Sequence, residues 1–351
     1  MLRLYPDDGA GATFYGVESR VMSVFLLLVA FAVILAGCEL FVNGVEWFGR
    51  RLELGEGAVG SVLAAVGTAL PETVIPIIAI VVHGGAAGQA VATGAIIGAP
   101  FMLSTLAMFV CGTAVVCYAW TGRRTRDIRI NREVLGRDLS FFLVVYAVAV
   151  LLGVVDLGTG RYAVGALLLV SYGVYVYRTM KSEGDLEGDV RSLYFHAAAT
   201  SPRLRFILLQ LVVALSAIIF GADLFVSELT KVAEVLSTPP LVISLLLTPI
   251  ATELPEKFNS VIWMRARKDT LALGNITGAM VFQSAIPVAV GVTLTPWRLD
   301  RVALLAAGIA LVAGLTLWLR VRIKGSVPVT ALLVGGFFYA VFVVAVLTGV
   351  V

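Results

Sequence analysis

Gly67-Thr68-Ala69-Leu70-Pro71-Glu72 and Ala251-Thr252-Glu253-Leu254-Pro255-Glu256 are two versions of one hexapeptide, 184 residues apart. Each sets a carboxylate and a proline inside an apolar run long enough to cross a bilayer. An ionised carboxylate near the bilayer centre costs about 2.5–3.5 kcal/mol even on insertion scales, so it is rare without a task. Proline removes a backbone donor and frees a carbonyl, which a membrane interior tolerates only where protein or a watery cavity satisfies it. Interrupted apolar segments at corresponding places in two halves of a chain point to the ion site of a transporter.

The composition places the whole chain in the same class. Of 351 residues, 59% are hydrophobic and 14% charged, with a mean hydropathy of +0.97. Soluble domains carry about 25% charged residues. The chain therefore reads as an all-α polytopic membrane protein. Cys38, Cys111 and Cys117 lie in apolar runs without metal-like spacing, so they read as small packing residues and no disulfide is expected. His83 and His196 are too few and too separated for a zinc hydrolase, and the chain holds no H-E-x-x-H, G-x-S-x-G or Walker sequence. A membrane-embedded hydrolase is thereby set aside: no enzyme activity and no cofactor are expected.

Ten apolar segments read as membrane-spanning helices: 22–48, 58–82, 89–118, 139–155, 162–177, 204–229, 241–264, 271–294, 302–319 and 327–350. The third and eighth carry internal glycines, Gly94 and Gly98 in one and Gly274 and Gly278 in the other, as close-packed membrane helices do. With ten spans, 19 of the Lys and Arg residues fall on one side and 6 on the other, leaving Lys257 inside a helix. Cytoplasmic loops hold the excess of basic residues, so both termini are expected outside a cell membrane. Residues 1–21, polar and glycine-rich without a signal-peptide pattern, read as a tail.

The two halves repeat. Gly37-Cys-Glu39-Leu-Phe-Val42 matches Gly221-Ala-Asp223-Leu-Phe-Val226 at the same offset of 184 as the hexapeptides. Beyond them the offset is 180, carrying Gly94-Ala-Ile-Ile-Gly98 onto Gly274-Asn-Ile-Thr-Gly278. The four extra residues fit the loop around His83-Gly84-Gly85. Five helices per half is an odd number, so the second half enters from the opposite side, an inverted repeat. The expected organisation is a tail (1–21), a first five-helix repeat (22–180), a cytoplasmic linker (181–202) and a second five-helix repeat (203–351). The linker's Glu183, Asp185, Glu187 and Asp189 lack the spacing of an EF-hand loop.

At helical spacing Thr68 and Glu72 share a face, as do Thr252 and Glu256, and Glu253 stands one turn before Glu256. Carboxylates, hydroxyls and freed carbonyls are hard oxygen donors suited to Ca²⁺, Na⁺ or a proton. The bland alternative makes Glu72 and Glu256 protonated or hydrogen-bonded packing residues.

These stretches resemble the paired alpha repeats of the sodium/calcium exchanger family, within the calcium/cation antiporters. The family pattern is G-T-S-L-P-E followed by G-N-I-I-G-S-N. Here it is Gly67-Thr-Ala-Leu-Pro-Glu72 with Gly94-Ala-Ile-Ile-Gly-Ala-Pro100, then Ala251-Thr-Glu-Leu-Pro-Glu256 with Gly274-Asn-Ile-Thr-Gly-Ala-Met280. The resemblance implies ten helices with outward termini and a secondary antiporter working by alternating access. It makes Glu72 and Glu256 the central cation ligands, with oxygens from Thr68 and Thr252 at the broken turns of their helices. Asn275 falls where the family places an Asn or Asp of the same cluster, opposite Ala95. The family's serines, which help form sodium sites, are replaced by Ala69 and Glu253. Na⁺/Ca²⁺ exchange is the leading expectation; a Ca²⁺/H⁺ antiporter and a Na⁺/H⁺ or K⁺ antiporter are the alternatives.

Glu253 is open to two readings: a cation or proton ligand, or an i,i+4 pair with Lys257 that Pro255 would disturb. Glu39 and Asp223 occupy equivalent places and either line an ion path or serve packing. Arg265-Ala-Arg-Lys268 reads as an anchor on the basic side, and the loop Arg123–Arg137 as meeting anionic headgroups of the lipid bilayer. No nucleic-acid partner is expected, and the sequence is compatible with a monomer without fixing the oligomeric state.

Overall fold

The computed structural model describes residues 9–51, 70–155, 158–182, 192–196 and 202–350, with side chains for all of these except 9–20, 50, 180–182, 251, 254–256, 258 and 259. Among the described residues there is no strand. The helices are α1 (Gly9–Arg51), α2 (Leu70–Ile78), α3 (Gly85–Met102), α4 (Met108–Trp120), α5 (Arg132–Leu152) and α6 (Gly160–Ser182). They continue with α7 (Leu204–Val235), α8 (Pro240–Arg265), α9 (Asp269–Leu294), α10 (Arg301–Leu319) and α11 (Val329–Leu347). A π-helical turn, Ala79–His83, prolongs α2; another, Leu103–Ala107, joins α3 to α4 into one rod, Gly85–Trp120.

Seven helical stretches among the described residues are long and apolar enough to cross a membrane, and Leu70–His83 and Pro240–Ile250 are shorter apolar helices. The expected ten is not reached by this measure. The two short stretches belong to the hexapeptide segments, of which residues 58–69 and several side chains of α8 lie outside the described residues. α6 has the length, at 23 residues, but its tyrosines and end-placed basic residues lower its hydropathy. The first helix also begins earlier than expected: the backbone is helical from Gly9, thirteen residues before Met22, and no proline follows Pro6 until Pro71. The acidic residues of the linker lie outside the described residues.

The buried apolar side chains form two clusters. One gathers Ala30, Ile34, Ile75, Ile78, Val91, Ile218, Phe225 and Leu229, joining α1, α2 and α7 to the start of α3. The larger one runs through α3–α6 and α8–α11. Most of α1's packing is against α7, and it touches α2 and α8 lightly. Glycine sets how close that pair comes. A Cβ on Gly37 would stand 2.8 Å from Ile218 Cγ1 and 3.1 Å from the Ala214 carbonyl oxygen. On the other side α3 lies against α8, with Gly94 and Gly98 on the backbone of Leu241 and Leu245, and Ser244 Oγ donating to the Val91 carbonyl at 2.6 Å. Small residues that let backbones approach are how membrane helices gain contact without a hydrophobic drive between them.

Candidate functional site

The proline of the second hexapeptide does not interrupt its helix. α8 runs unbroken from Pro240 to Arg265, through Pro249 and Pro255, so the expected broken turn is absent there. Packing on α3 and α9 offsets the lost hydrogen bonds. Along α8, Ser244, Thr248, Thr252 and Ser260 are all buried, at 0, 2, 4 and 0% exposure. With Glu256 they recur every fourth residue, a single polar stripe down an apolar helix. Sequence reading caught only Thr252 and Glu256. The period of four was legible, but Ser244, Thr248 and Ser260 have no counterpart in the first half, where Gly60, Ala64 and Pro76 occupy those places.

Glu72 sits at the start of α2 and is 5% exposed. Its helix packs on α3, α7 and α9, so this carboxylate is buried among the helices that carry the repeat motifs. Thr68 lies outside the described residues. Glu256 is placed on α8 by its backbone, and its side chain is not described.

Glu253 is fully buried, and Lys257 Nζ stands 3.6 Å from its Oε2. The lysine also donates to the Pro249 carbonyl at 3.4 Å. The i,i+4 pair therefore forms despite Pro255, because the helix keeps its pitch. Two opposite charges in contact are the arrangement that makes burying either one tolerable. Asn275, on α9, donates from Nδ2 to Ser260 Oγ at 3.3 Å, and Ser260 donates to the Ala272 carbonyl at 3.2 Å. The amide of α9 thus meets the polar stripe of α8.

Glu39 is exposed and Asp223 half-buried, and each has a partner. Tyr194 Oη donates to Glu39 Oε1 at 2.8 Å, and His83 Nε2 stands 2.9 Å from Asp223 Oδ1. The Tyr194 end of the linker is itself docked across both helices of the pair. Gln210 Nε2 donates to Asn43 Oδ1 at 3.0 Å and to the Leu40 carbonyl at 2.8 Å, while its Oε1 accepts from Phe195 N at 3.0 Å.

Two basic residues expected at headgroups turn inward instead. Arg124 is 4% exposed and bridges Asp269 at 2.8 Å, while also donating to the Asp127 carbonyl at 2.9 Å. Asp269 in turn accepts from Arg129 N at 2.9 Å, so the 121–131 loop is fastened to the turn between α8 and α9. Arg137 pairs with Asp138 at 3.2 Å and lies over the Tyr175 ring at 5.4 Å. Arg123, Arg126, Arg129 and Arg132 remain exposed. Arg265, Arg267 and Lys268 are exposed too, in line with the anchor reading.

Comparison with known proteins agrees with this architecture. A family model described as sodium/calcium exchanger protein matches residues 22–181 and 206–348. An uncharacterised membrane protein of Methanocaldococcus jannaschii, MJ0091, is 24% identical over 272 residues, covering 77% of this chain and 82% of its own length. The fold is that of the H⁺/Ca²⁺ exchanger CAX, with a TM-score of 0.71 at 15% identity, over 93% of this chain and 82% of that one. It is also that of the sodium–calcium exchanger NCX_Mj, with a TM-score of 0.57 at 20% identity, over 93% of this chain and 99% of that one.

Proposed function

This chain belongs to the sodium/calcium exchanger family of cation antiporters, and from that premise we propose that it exchanges Ca²⁺ for Na⁺ across a cell membrane by alternating access. The observation that carries the reading is the burial of Glu72 among α3, α7 and α9, with its sequence counterpart Glu256 on the polar stripe of α8. The proposed ligands are Glu72 and Glu256, with oxygens from Thr68, Thr252 and Asn275. Glu253, held by Lys257, joins them when that pair opens. A divalent ion between two carboxylates neutralises both, which offsets the cost of burying them. Na⁺ ions that need the same oxygens exclude Ca²⁺, and that competition makes the process an exchange.

The proposed frame is ten spans in two inverted five-helix repeats, with the basic loops inside and both termini outside. It counts α6 and the two hexapeptide segments as spans alongside the seven apolar helices. Alternating access then consists of α1 and α7 moving as a unit past the remaining helices. Their tight pairing and α1's sparse contact with other helices suit such a motion.

A Ca²⁺/H⁺ antiporter is the second reading. Two observations favour it: Ala69 and Glu253 stand where the family has serines, and Glu253 is a buried carboxylate beside the proposed ligands. Uptake of ⁴⁵Ca²⁺ into proteoliposomes, driven in turn by a Na⁺ gradient and by a pH gradient, separates the two. Uptake with Na⁺ alone supports sodium coupling, and uptake with pH alone supports proton coupling. No uptake with either, or undiminished uptake by an E72A/E256A double variant, overturns the calcium site.

A further inference from the structure

Asp138 has no place in either repeat motif, yet it is 2% exposed on α5, about two turns from the basic end of that helix. A carboxylate buried at that depth marks function or a dedicated partner. Here the partners come from two other helices. Tyr175 of α6 donates its hydroxyl to Oδ1 at 2.7 Å, and Thr277 of α9 donates its hydroxyl to Oδ2 at 2.8 Å. Arg137 adds a contact to Oδ1 at 3.2 Å.

Thr277 stands two residues beyond Asn275, so the two side chains leave α9 about 200° apart. Asn275 reaches Ser260 on α8, and Thr277, itself fully buried, reaches Asp138 on α5. A helix tied on opposite sides cannot turn about its own axis. The bond to Asp138 therefore fixes where the Asn275 amide points. In the first half, Ile97 occupies the place of Thr277 and Ala95 that of Asn275. The tether and the polar amide occur together in one half and are absent together from the same motif in the other.

We infer that Asp138 is a positioning residue of the cation site: through Thr277 it sets the rotation of α9 and aims Asn275 at the stripe on α8. Its consequence for affinity rests on the calcium reading above; the geometry it asserts does not. The test measures the geometry first. In a background with Cys38, Cys111 and Cys117 replaced by serine, an S260C/N275C pair reports by its oxidation rate whether position 275 faces position 260. Adding T277V, which removes the hydroxyl at nearly constant volume, slows cross-linking at least fivefold, and T277S restores it. An unchanged rate in both T277V and D138N overturns the inference, whether or not the protein transports calcium.

A second measurement ties the geometry to the site. T277V and D138N raise the half-saturating Ca²⁺ concentration about five- to tenfold and leave the maximal rate within twofold. In an N275A background T277V adds nothing further. A residue that only stabilised the fold would lower the yield of folded protein in both backgrounds and leave half-saturation alone. That result also overturns the inference.

Discussion

Gly37 and Gly221 are each other's counterparts in space. A Cβ on Gly37 would lie 2.8 Å from Ile218 Cγ1, 3.1 Å from the Ala214 oxygen and 3.2 Å from Ile218 N. A Cβ on Gly221 would lie 2.8 Å from Ile34 Cγ1, 3.1 Å from the Ala30 oxygen and 3.2 Å from Ile34 N. Every partner is related to its opposite number by the offset of 184, so α1 and α7 cross antiparallel about a local two-fold axis. Overpacking a tight contact costs about 1–3 kcal/mol. G37V and G221V should thus lower the melting temperature in detergent by similar amounts. I218A should recover most of the loss in G37V, and I34A most of the loss in G221V. Unequal losses, or rescue by the wrong isoleucine, would contradict the symmetric crossing.

The Arg124–Asp269 pair fastens the 121–131 loop beneath α8 and α9, and both side chains are almost wholly buried. Removing one partner of a buried pair costs about 3–5 kcal/mol, because the other charge stays behind unpaired. R124L and D269L alone should each cut folded yield and melting temperature sharply. The R124L/D269L double variant should be more stable than either single one, since no uncompensated charge remains. Thermal melting of the purified proteins decides it. A double variant worse than both singles would mean that the bonds of Arg124 to the loop carbonyls matter more than the charge.

Much of this was legible in the sequence, and the missing parts share a cause. The apolar runs, the repeated Gly-x-acid-Leu-Phe-Val and the two hexapeptides mark the class, the equivalence of α1 and α7 and the placing of Glu72 inside an apolar segment. Each is a local pattern that physics reads directly, through length, period or the cost of a buried charge. Arg124–Asp269 and Thr277–Asp138 join residues 145 and 139 positions apart. Nothing near Arg124 distinguishes it from the arginines around it that stay in solvent. Asp138 beside Arg137 reads as an ordinary helix-end charge pair until α6 and α9 are placed over it. The unbroken α8 was missed for the opposite reason: a local rule about proline yielded to tertiary packing.

His83 and Asp223 form a contact between the α1–α7 unit and the end of α2, 2.9 Å long and partly open to solvent. Glu228 and Lys231, farther along α7, are paired with each other at 2.7 Å. Among the described residues α3 brings no charged side chain, α2 brings Glu72 at its far end, and α1 brings Glu39 and Glu46 on the linker side. The contact holds α7 against α2, so transport that requires their separation should quicken when it is removed. A solvent-screened contact supports an effect of about two- to threefold. H83A and D223A should each raise the initial rate by that factor, and the H83A/D223A double variant should add nothing further. An unchanged rate in both single variants would dissociate the contact from the cycle.

Lys257 decides what Glu253 can do. With its ammonium 3.6 Å away, the carboxylate is neutralised within its own helix and is not available as a full negative charge to a cation. K257M strands that charge in a fully buried position, so the variant should fold poorly or capture a proton or cation there. E253Q/K257M removes both charges and should recover the fold. The pair also gives opposite signatures under the two coupling schemes. If Glu253 carries the coupling proton, E253Q abolishes pH-driven ⁴⁵Ca²⁺ uptake and E253D retains part of it. If the pair is a structural ion pair beside a sodium-coupled site, E253Q/K257M keeps Na⁺-driven uptake within about threefold of the native rate, and the pH of the lumen makes no difference to it. Flux measured in these variants under each gradient assigns Glu253 to one role, because only a proton carrier ties the loss to the driving ion.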